Sequence, residues 1–254
     1  MNLAVRRCEL SFLVRKWLHE LPFAVFVGCS QDLKLNTITD GIGTSSELLE
    51  NNLQCLAKQN NKIFAFRIYN DGRDDEIGYK NVALAYQKFQ AEFYVVPKID
   101  PTEPAFRQVI AIYNAAKRHG FTFYRIFLKV TDPMRWNKAK QDNVAFINQF
   151  IKEAGAWNIT VGLFTSWYDY YLITGNSNTI PESPLWYWNT LGVGLNAETQ
   201  PNVNDFRTFG LFRRAPFAKM YGLEENVCGV VVNKHVFMNG PLAPGPSVAS
   251  TNHT

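Results

Sequence analysis

The sequence lacks any apolar run long enough to cross a membrane as a helix. A spanning helix needs about 18 or more consecutive apolar residues, and the longest stretch, residues 21–27, falls well short. Cysteine is sparse, four in 254 residues, which excludes a disulfide-stapled miniprotein. Histidine is equally sparse. His19, His119, His235 and His253 stand far apart with no His/Cys pair at ligand spacing, so neither a metal nor a cofactor is expected. No Gly-x-Gly-x-x-Gly or phosphate loop follows the first strand-like run, and no Gly-x-Ser-x-Gly elbow is present. Nothing orients Cys29 and His235 as a nucleophilic pair. Positive charge is in slight excess, 26 Lys+Arg against 22 Asp+Glu, a net +4. Such a charge steers polyanions weakly, and without a Lys/Arg cluster no nucleic-acid partner is expected. The isolated Arg213-Arg214 pair reads as a solvated loop tip. Residues 1–30 show no clear secretory signal, because Arg15-Lys16 and His19-Glu20 interrupt the apolar run such a signal needs.

What is present is a large apolar fraction, 46%, with 14% aromatics, enough for a substantial core and incompatible with disorder. Near-continuous apolar runs recur at residues 23–27, 63–69, 92–96, 124–130 and 160–165. Runs of that kind suit strands buried on both faces, as in a parallel sheet. Helical patterns separate them over 46–60, 79–90, 104–119 and 143–156. The third begins with Pro104 and stops at Gly120, the expected asymmetry of helix starts and stops. Three further strand-like runs follow at 185–188, 217–221 and 228–232, joined by Asn/Gly/Pro-rich loops. Five βα units plus three strands predict an α/β fold, an irregular TIM-like (βα)5β3 barrel in a single domain. The expected layout is an extension of unclear role over 1–22, the barrel over 23–237 and a disordered Pro/Gly/Ser-rich tail over 238–254.

Barrel active sites lie at the C-terminal ends of the strands. Those ends offer Phe26 and Gly28; Arg67, Tyr69 and Asn70; Pro97 and Lys98; Lys129, Thr131 and Asp132; Thr165, Trp167, Tyr168 and Asp169; Trp186, Tyr187, Trp188 and Asn189; Lys219 and Tyr221; Asn233 and His235. An aromatic rim interleaved with Asn, Arg and Asp suits a sugar-binding cleft. The candidate substrate-binding residues are Arg67, Tyr69, Trp167, Tyr168, Trp186, Trp188, Asn189, Tyr221 and Asn233. Each aromatic has the alternative role of a core side chain.

The segments Phe64-Ala-Phe-Arg-Ile-Tyr69, Glu92-Phe-Tyr-Val-Val-Pro97, Val130-Thr-Asp-Pro133 with Trp136, and Asn143-Val-Ala-Phe-Ile-Asn148 resemble the nematode lysozyme-like branch of the family 25 glycoside hydrolases. So do Tyr168-Asp-Tyr-Tyr-Leu-Ile-Thr-Gly175, Leu185-Trp-Tyr-Trp-Asn189, Asn204-Asp-Phe-Arg207 with Phe209-Gly210, and Val227-Cys-Gly-Val-Val-Val-Asn-Lys-His-Val-Phe237. The resemblance implies an irregular barrel of five helices and eight strands. It also implies hydrolysis of the muramic acid to glucosamine bond of peptidoglycan, in defence against bacteria or their digestion. The implied partner is bacterial wall glycan and the implied location secreted or lysosomal; a monomer is expected.

The chemistry needs two carboxyl groups flanking the scissile bond. At the family's acid positions the resemblance places Phe26, Lys129, Thr131 and His235, none of them an acid. Lys129 would oppose an oxocarbenium-like cation, and Phe26 can neither ionise nor accept a hydrogen bond. Asp169 is the best surviving candidate acid, with helix capping as its alternative role. Glu92 sits at the start of its strand, the wrong end of the barrel. Hydrolysis is therefore expected to be weak or absent. The alternatives are an inactive glycan-binding relative and a signalling or regulatory barrel. The resemblance also pairs Cys55 with Cys228 as a disulfide, which implies an oxidising compartment. The sequons at Asn158 and Asn252 matter only in a secreted chain.

Overall fold

The computed structural model describes residues 38–85, 88–238 and 247–248. Eight strands close into a barrel: β1 (Ile38–Thr44), β2 (Ile63–Asn70), β3 (Gln90–Val96), β4 (Arg125–Lys129), β5 (Thr160–Thr165), β6 (Leu185–Trp188), β7 (Ala218–Val227) and β8 (Val230–Met238). Five helices accompany them among the described residues: α1 (Glu50–Lys58), α2 (Glu76–Ala85), α3 (Ala105–Arg118), α4 (Lys140–Ala156) and α5 (Trp167–Thr174). Strands β1 to β7 pair in parallel in chain order, while β8 runs antiparallel to both β7 and β1 and shuts the barrel.

The apolar runs of β2 to β6 have their physical reason in two concentric cores. Ile63, Ala65, Tyr94, Phe127, Phe164, Trp186 and Phe237 fill the barrel interior. Phe64, Phe66, Ile68, Val95, Ile126, Leu128 and Leu163 alternate with them and face the helical layer, against Leu53, Val82, Ile112, Ile147 and Phe150. A strand buried on both faces carries no polar alternation.

The first strand requires a correction. Residues 23–27 lie outside the described residues, and the slot between β8 and β2 belongs to Ile38–Thr44. This strand has no apolar run because two of its residues must be glycine. A Cβ on Gly41 would stand 2.4 Å from the Phe237 ring, and one on Gly43 would stand 2.8 Å from His235 Nε2. Phe26 lies outside the described residues, and the strand in that slot ends at Gly43-Thr44.

One more correction concerns the end of an element. Cys228 does not begin the last strand: with Gly229 it forms the two-residue turn between β7 and β8, both at positive φ, 55° and 77°. That combination matches the type I′ hairpin turn. The helix of the fifth βα unit is α5, started by Ser166, whose Oγ accepts from the Asp169 N–H. Within the span expected as a disordered tail, Ser247–Val248 pairs with Phe121–Thr122.

Candidate functional site

Strands β2, β4, β6 and β8 and the first turn of α5 bring Arg67, Lys129, Trp188, His235 and Asp169 to one region of the barrel. Arg67 leaves β2 and donates from Nε to Asp75, whose second oxygen accepts from the Gly78 N–H at the start of α2. Lys129 ends β4, with its ammonium 5.9 Å from the Tyr94 ring centroid and 5.6 Å from that of Phe164. Burial, and next the charge of Arg67, hold the Lys129 pKa below its ordinary value. Asp169 is 3% exposed and accepts a 2.8 Å hydrogen bond on Oδ2 from Trp188 Nε1. Its own burial pushes the carboxyl pKa up, against the opposing pull of Trp188, Ser166 and the Lys129 charge. Capping of α5 falls to Ser166, which leaves the Asp169 side chain to the mouth.

His235 lies deeper, fully buried and edge-on to Trp186. Its Nδ1 accepts from Trp186 Nε1 at 3.2 Å, so the neutral ring carries its proton on Nε2. That Nε2 has no hydrogen-bond partner and points at Gly43. Burial, with the nearby Lys129 charge, pushes the His235 pKa down to about 3. The unfolded chain therefore binds a proton near pH 6.5 that the folded chain refuses until about 3, and stability is lost as pH falls across that window. His235→Gln keeps an acceptor for Trp186 and removes the titration. Urea midpoints at pH 6.5, 5.5 and 4.5 should show the wild type's advantage over this variant shrinking by about 1.4 kcal/mol per pH unit. Parallel pH profiles would contradict this.

Beside Lys129 opens a cavity of about 150 Å³ bordered by Arg67, Asn70, Thr131, Asp132, Arg135 and Trp136. Trp136 is fixed by its Nε1 donating to the Thr131 carbonyl at 3.0 Å, and Arg135 pairs with Asp71 at 2.8 Å. On the other flank, the first turn of α5 presents Trp167 and Tyr168, both more than half exposed. Exposed rings of this kind are available for stacking on a sugar.

Several expected binding residues do other work. Tyr69 is 2% exposed and belongs to the helix-facing core, and Trp186 is sealed in the barrel interior. Strand alternation puts neighbouring aromatics on opposite faces, and only Trp188 reaches the mouth. Asn189 donates to Asp205 at 2.6 Å, and its carbonyl accepts from Thr199. Lys219, fully buried, donates to the same Asp205 and to the Gln200 and Asn202 carbonyls. Together they tie the 199–205 loop to the β6 and β7 ends. Asn233 accepts from the Glu224 N–H near the β7–β8 hairpin. Tyr221 is half-buried, with its hydroxyl pKa pushed up to about 12 by burial. Glu92 ion-pairs with Arg125, at the N-terminal end of the strands. Asp75, Ser166 and Gly43 were not singled out from the sequence. The Ser-x-x-Asp spacing of Ser166 and Asp169 is a helix-start signature that marks α5.

The site can orient a polar ligand between a cationic floor and aromatic walls. It holds no group of three or more His, Cys, Asp or Glu able to take a metal among the described residues. Comparison with known proteins places the chain by family and fold. The family model described as lysozyme-like protein 1 matches residues 34–221. Lysozyme-like protein 2 of Caenorhabditis elegans is 35% identical over 199 residues, 76% of this chain and 71% of that protein. Lysozyme-like protein 1 of the same organism is 34% identical over 194 residues, 76% of this chain and 63% of that protein. A family 25 glycosyl hydrolase from Bacillus anthracis superposes with a TM-score of 0.59 at 15% identity, covering 80% of this chain and 90% of that one, which is a likeness of fold. The chain belongs to the lysozyme-like protein 1 family, related in fold to the family 25 glycoside hydrolases.

Proposed function

We propose that this protein binds bacterial wall glycan at the barrel mouth and turns it over weakly or not at all. The observation that carries this reading is the floor of the mouth. Where an acid-catalysed glycosidase needs two carboxyl groups across the scissile bond, this one sets Lys129 and a neutral His235 beside the buried Asp169, with Asp75 tied to Arg67 and the exposed Asp132 on the adjoining cavity wall. A cation there disfavours the oxocarbenium-like transition state. Trp167 and Tyr168 supply the stacking surface. The Cys55–Cys228 disulfide favours an oxidising, secreted or lysosomal setting. The barrel reads as five βα units followed by three strands acting as one monomeric domain. Defence against bacteria, or their digestion, fits a wall-binding protein of this family.

One observation favours a second reading, residual hydrolysis. Burial raises the Asp169 pKa and the Asp132 charge adds to it, the direction that suits a general acid. A turbidity assay on bacterial walls separates the two. The expected result is wall binding with no clearing, unchanged in Asp169→Asn. Robust clearing that is lost in Asp169→Asn would establish hydrolysis instead. Neither binding nor clearing would favour a signalling or regulatory barrel.

A further inference from the structure

Asn158-Ile159-Thr160, an Asn-x-Thr acceptor motif, occupies the turn between α4 and β5. It lies where β5 begins, at the base of the barrel and away from the mouth. Helix α4 closes there in a Schellman motif. The Ile159 N–H donates to the Ala154 carbonyl and the Asn158 N–H to that of Gly155, both at 3.0 Å. Asn158 takes the left-handed position of that motif, φ 58°, a demand that α3 meets with Gly120 at φ 74°. Capping alone accounts for an asparagine there, so the backbone does not point to a modification. The side chain does. Asn60, the left-handed asparagine after α1, spends its amide on Asp40 at 3.3 Å. The Asn158 side chain is exposed and makes no hydrogen bond among the described residues. Thr160 is exposed as well. Beside Asn158 lies a cavity of about 300 Å³, bordered by Tyr113, Lys117, Phe123, Tyr124 and Trp157. Trp157 packs on Tyr113 with ring centroids 4.3 Å apart, yet stays 38% exposed, and Tyr124 is 52% exposed. Ring faces of this kind form an apolar shelf next to the free amide.

We propose that Asn158 is a site of N-linked glycosylation, and that the first N-acetylglucosamine of the attached oligosaccharide lies on the Trp157 and Tyr124 rings. The assignment rests on the secreted or lysosomal setting that the Cys55–Cys228 disulfide favours. The donor is a lipid-pyrophosphate-linked oligosaccharide. Nδ2 of Asn158 forms a bond to C1 of the first sugar as the bond from C1 to the pyrophosphate oxygen breaks. Nδ2 gives up one proton, and the lipid pyrophosphate leaves with the bonding electron pair. The product fits the fold. A group on an exposed amide at the base displaces no core side chain, leaves the left-handed cap as it is, and does not obstruct the mouth. The second such motif, at Asn252, lies outside the described residues.

The test is mass spectrometry of the full chain, secreted from cultured insect cells behind a supplied leader. The protein is treated with a peptide amidase that releases N-linked glycans and turns the acceptor asparagine into aspartate, in heavy-oxygen water. The expected result is heavy-oxygen-labelled aspartate at position 158 in the wild type. Asn158→Gly keeps the left-handed cap, and Thr160→Val keeps a β-branched strand residue. Each should lose the mass of one oligosaccharide from the intact, untreated protein. The Cys55–Cys228 linkage is mapped in the same digest. An unlabelled Asn158 in protein that carries the disulfide would overturn the acceptor and leave the secretory reading standing. An unlabelled Asn158 with both thiols free would overturn both. The shelf is read by melting temperature. Wild type trimmed to its first sugar should melt about 2 °C above Thr160→Val, on the scale of one weak contact. In a Tyr124→Ser background that margin should close. A margin that Tyr124→Ser leaves intact would overturn the placement on the rings.

Discussion

Replacing Arg125 with Met should cost about 3–5 kcal/mol of stability, the penalty of leaving a buried carboxylate unpaired. The Glu92–Arg125 pair sits inside the barrel at the base, with side chains only 6% and 12% exposed. Both Nε and Nη2 of Arg125 donate to the carboxylate, and the guanidinium carbon lies 4.2 Å from the Phe217 ring centroid. Burial already drives the Glu92 pKa up, with Arg125 the opposing influence. Without the arginine the folded state binds a proton more readily than the unfolded one. The deficit of Arg125→Met should therefore shrink as the pH is lowered towards the ordinary glutamate value. Glu92→Leu combined with Arg125→Met should recover most of the loss, because an apolar pair of similar size replaces the ions without stranding a charge. Urea unfolding at pH 7 and pH 5 measures both. A single variant as stable as wild type would show that water reaches the pair.

The second large effect belongs to the Cys55–Cys228 disulfide, with Cα atoms 5.9 Å apart and a sequence separation of 173. It joins α1 to the β7–β8 turn, so it closes nearly the whole barrel into one loop. Chain-entropy arguments give a bridge of that span about 5 kcal/mol, with 2–5 kcal/mol typically lost on removal. For a chain of this size that corresponds to roughly 10 °C in melting temperature. Cys228 occupies the left-handed region, so the cleanest comparison is Cys55→Ala with Cys228→Asn, since Asn tolerates that backbone. Asn52, which donates to the Cys228 carbonyl at 3.0 Å, continues to hold the turn. A melting temperature unchanged by the double substitution, or by reductant on the wild type, would refute the estimate.

The parts of this molecule that the sequence announces are those with a single physical demand. Strands β2 to β6 are apolar on both faces and read directly as apolar runs. Helix α3 shows its boundaries through Pro104 and Gly120. Strand β1 carries two demands that conflict, strand pairing and close approach by Phe237 and His235. Glycine at 41 and 43 satisfies both and erases the pattern. At the site, Lys129 and Asp169 are legible as residues of the mouth because each stands at a strand end or just beyond it, whereas His235, expected after a strand ending at 232, lies within the antiparallel β8. Their partners are not legible, because Trp188 finding Asp169, or Asp75 finding Arg67, depends on packing across the barrel. The aromatic rim was over-read for the same reason. Trp186 and Trp188 differ by one strand repeat, and only depth in the barrel separates a core ring from one at the mouth.

The central claim is that the mouth holds wall glycan without cutting it. The most direct test is one tube of purified bacterial sacculi, incubated with the protein and then centrifuged. The pellet is assayed for bound protein and the suspension for new reducing ends. The account predicts protein in the pellet and no reducing ends above a heat-denatured control. Steady formation of reducing ends, abolished in Asp169→Asn, would contradict it.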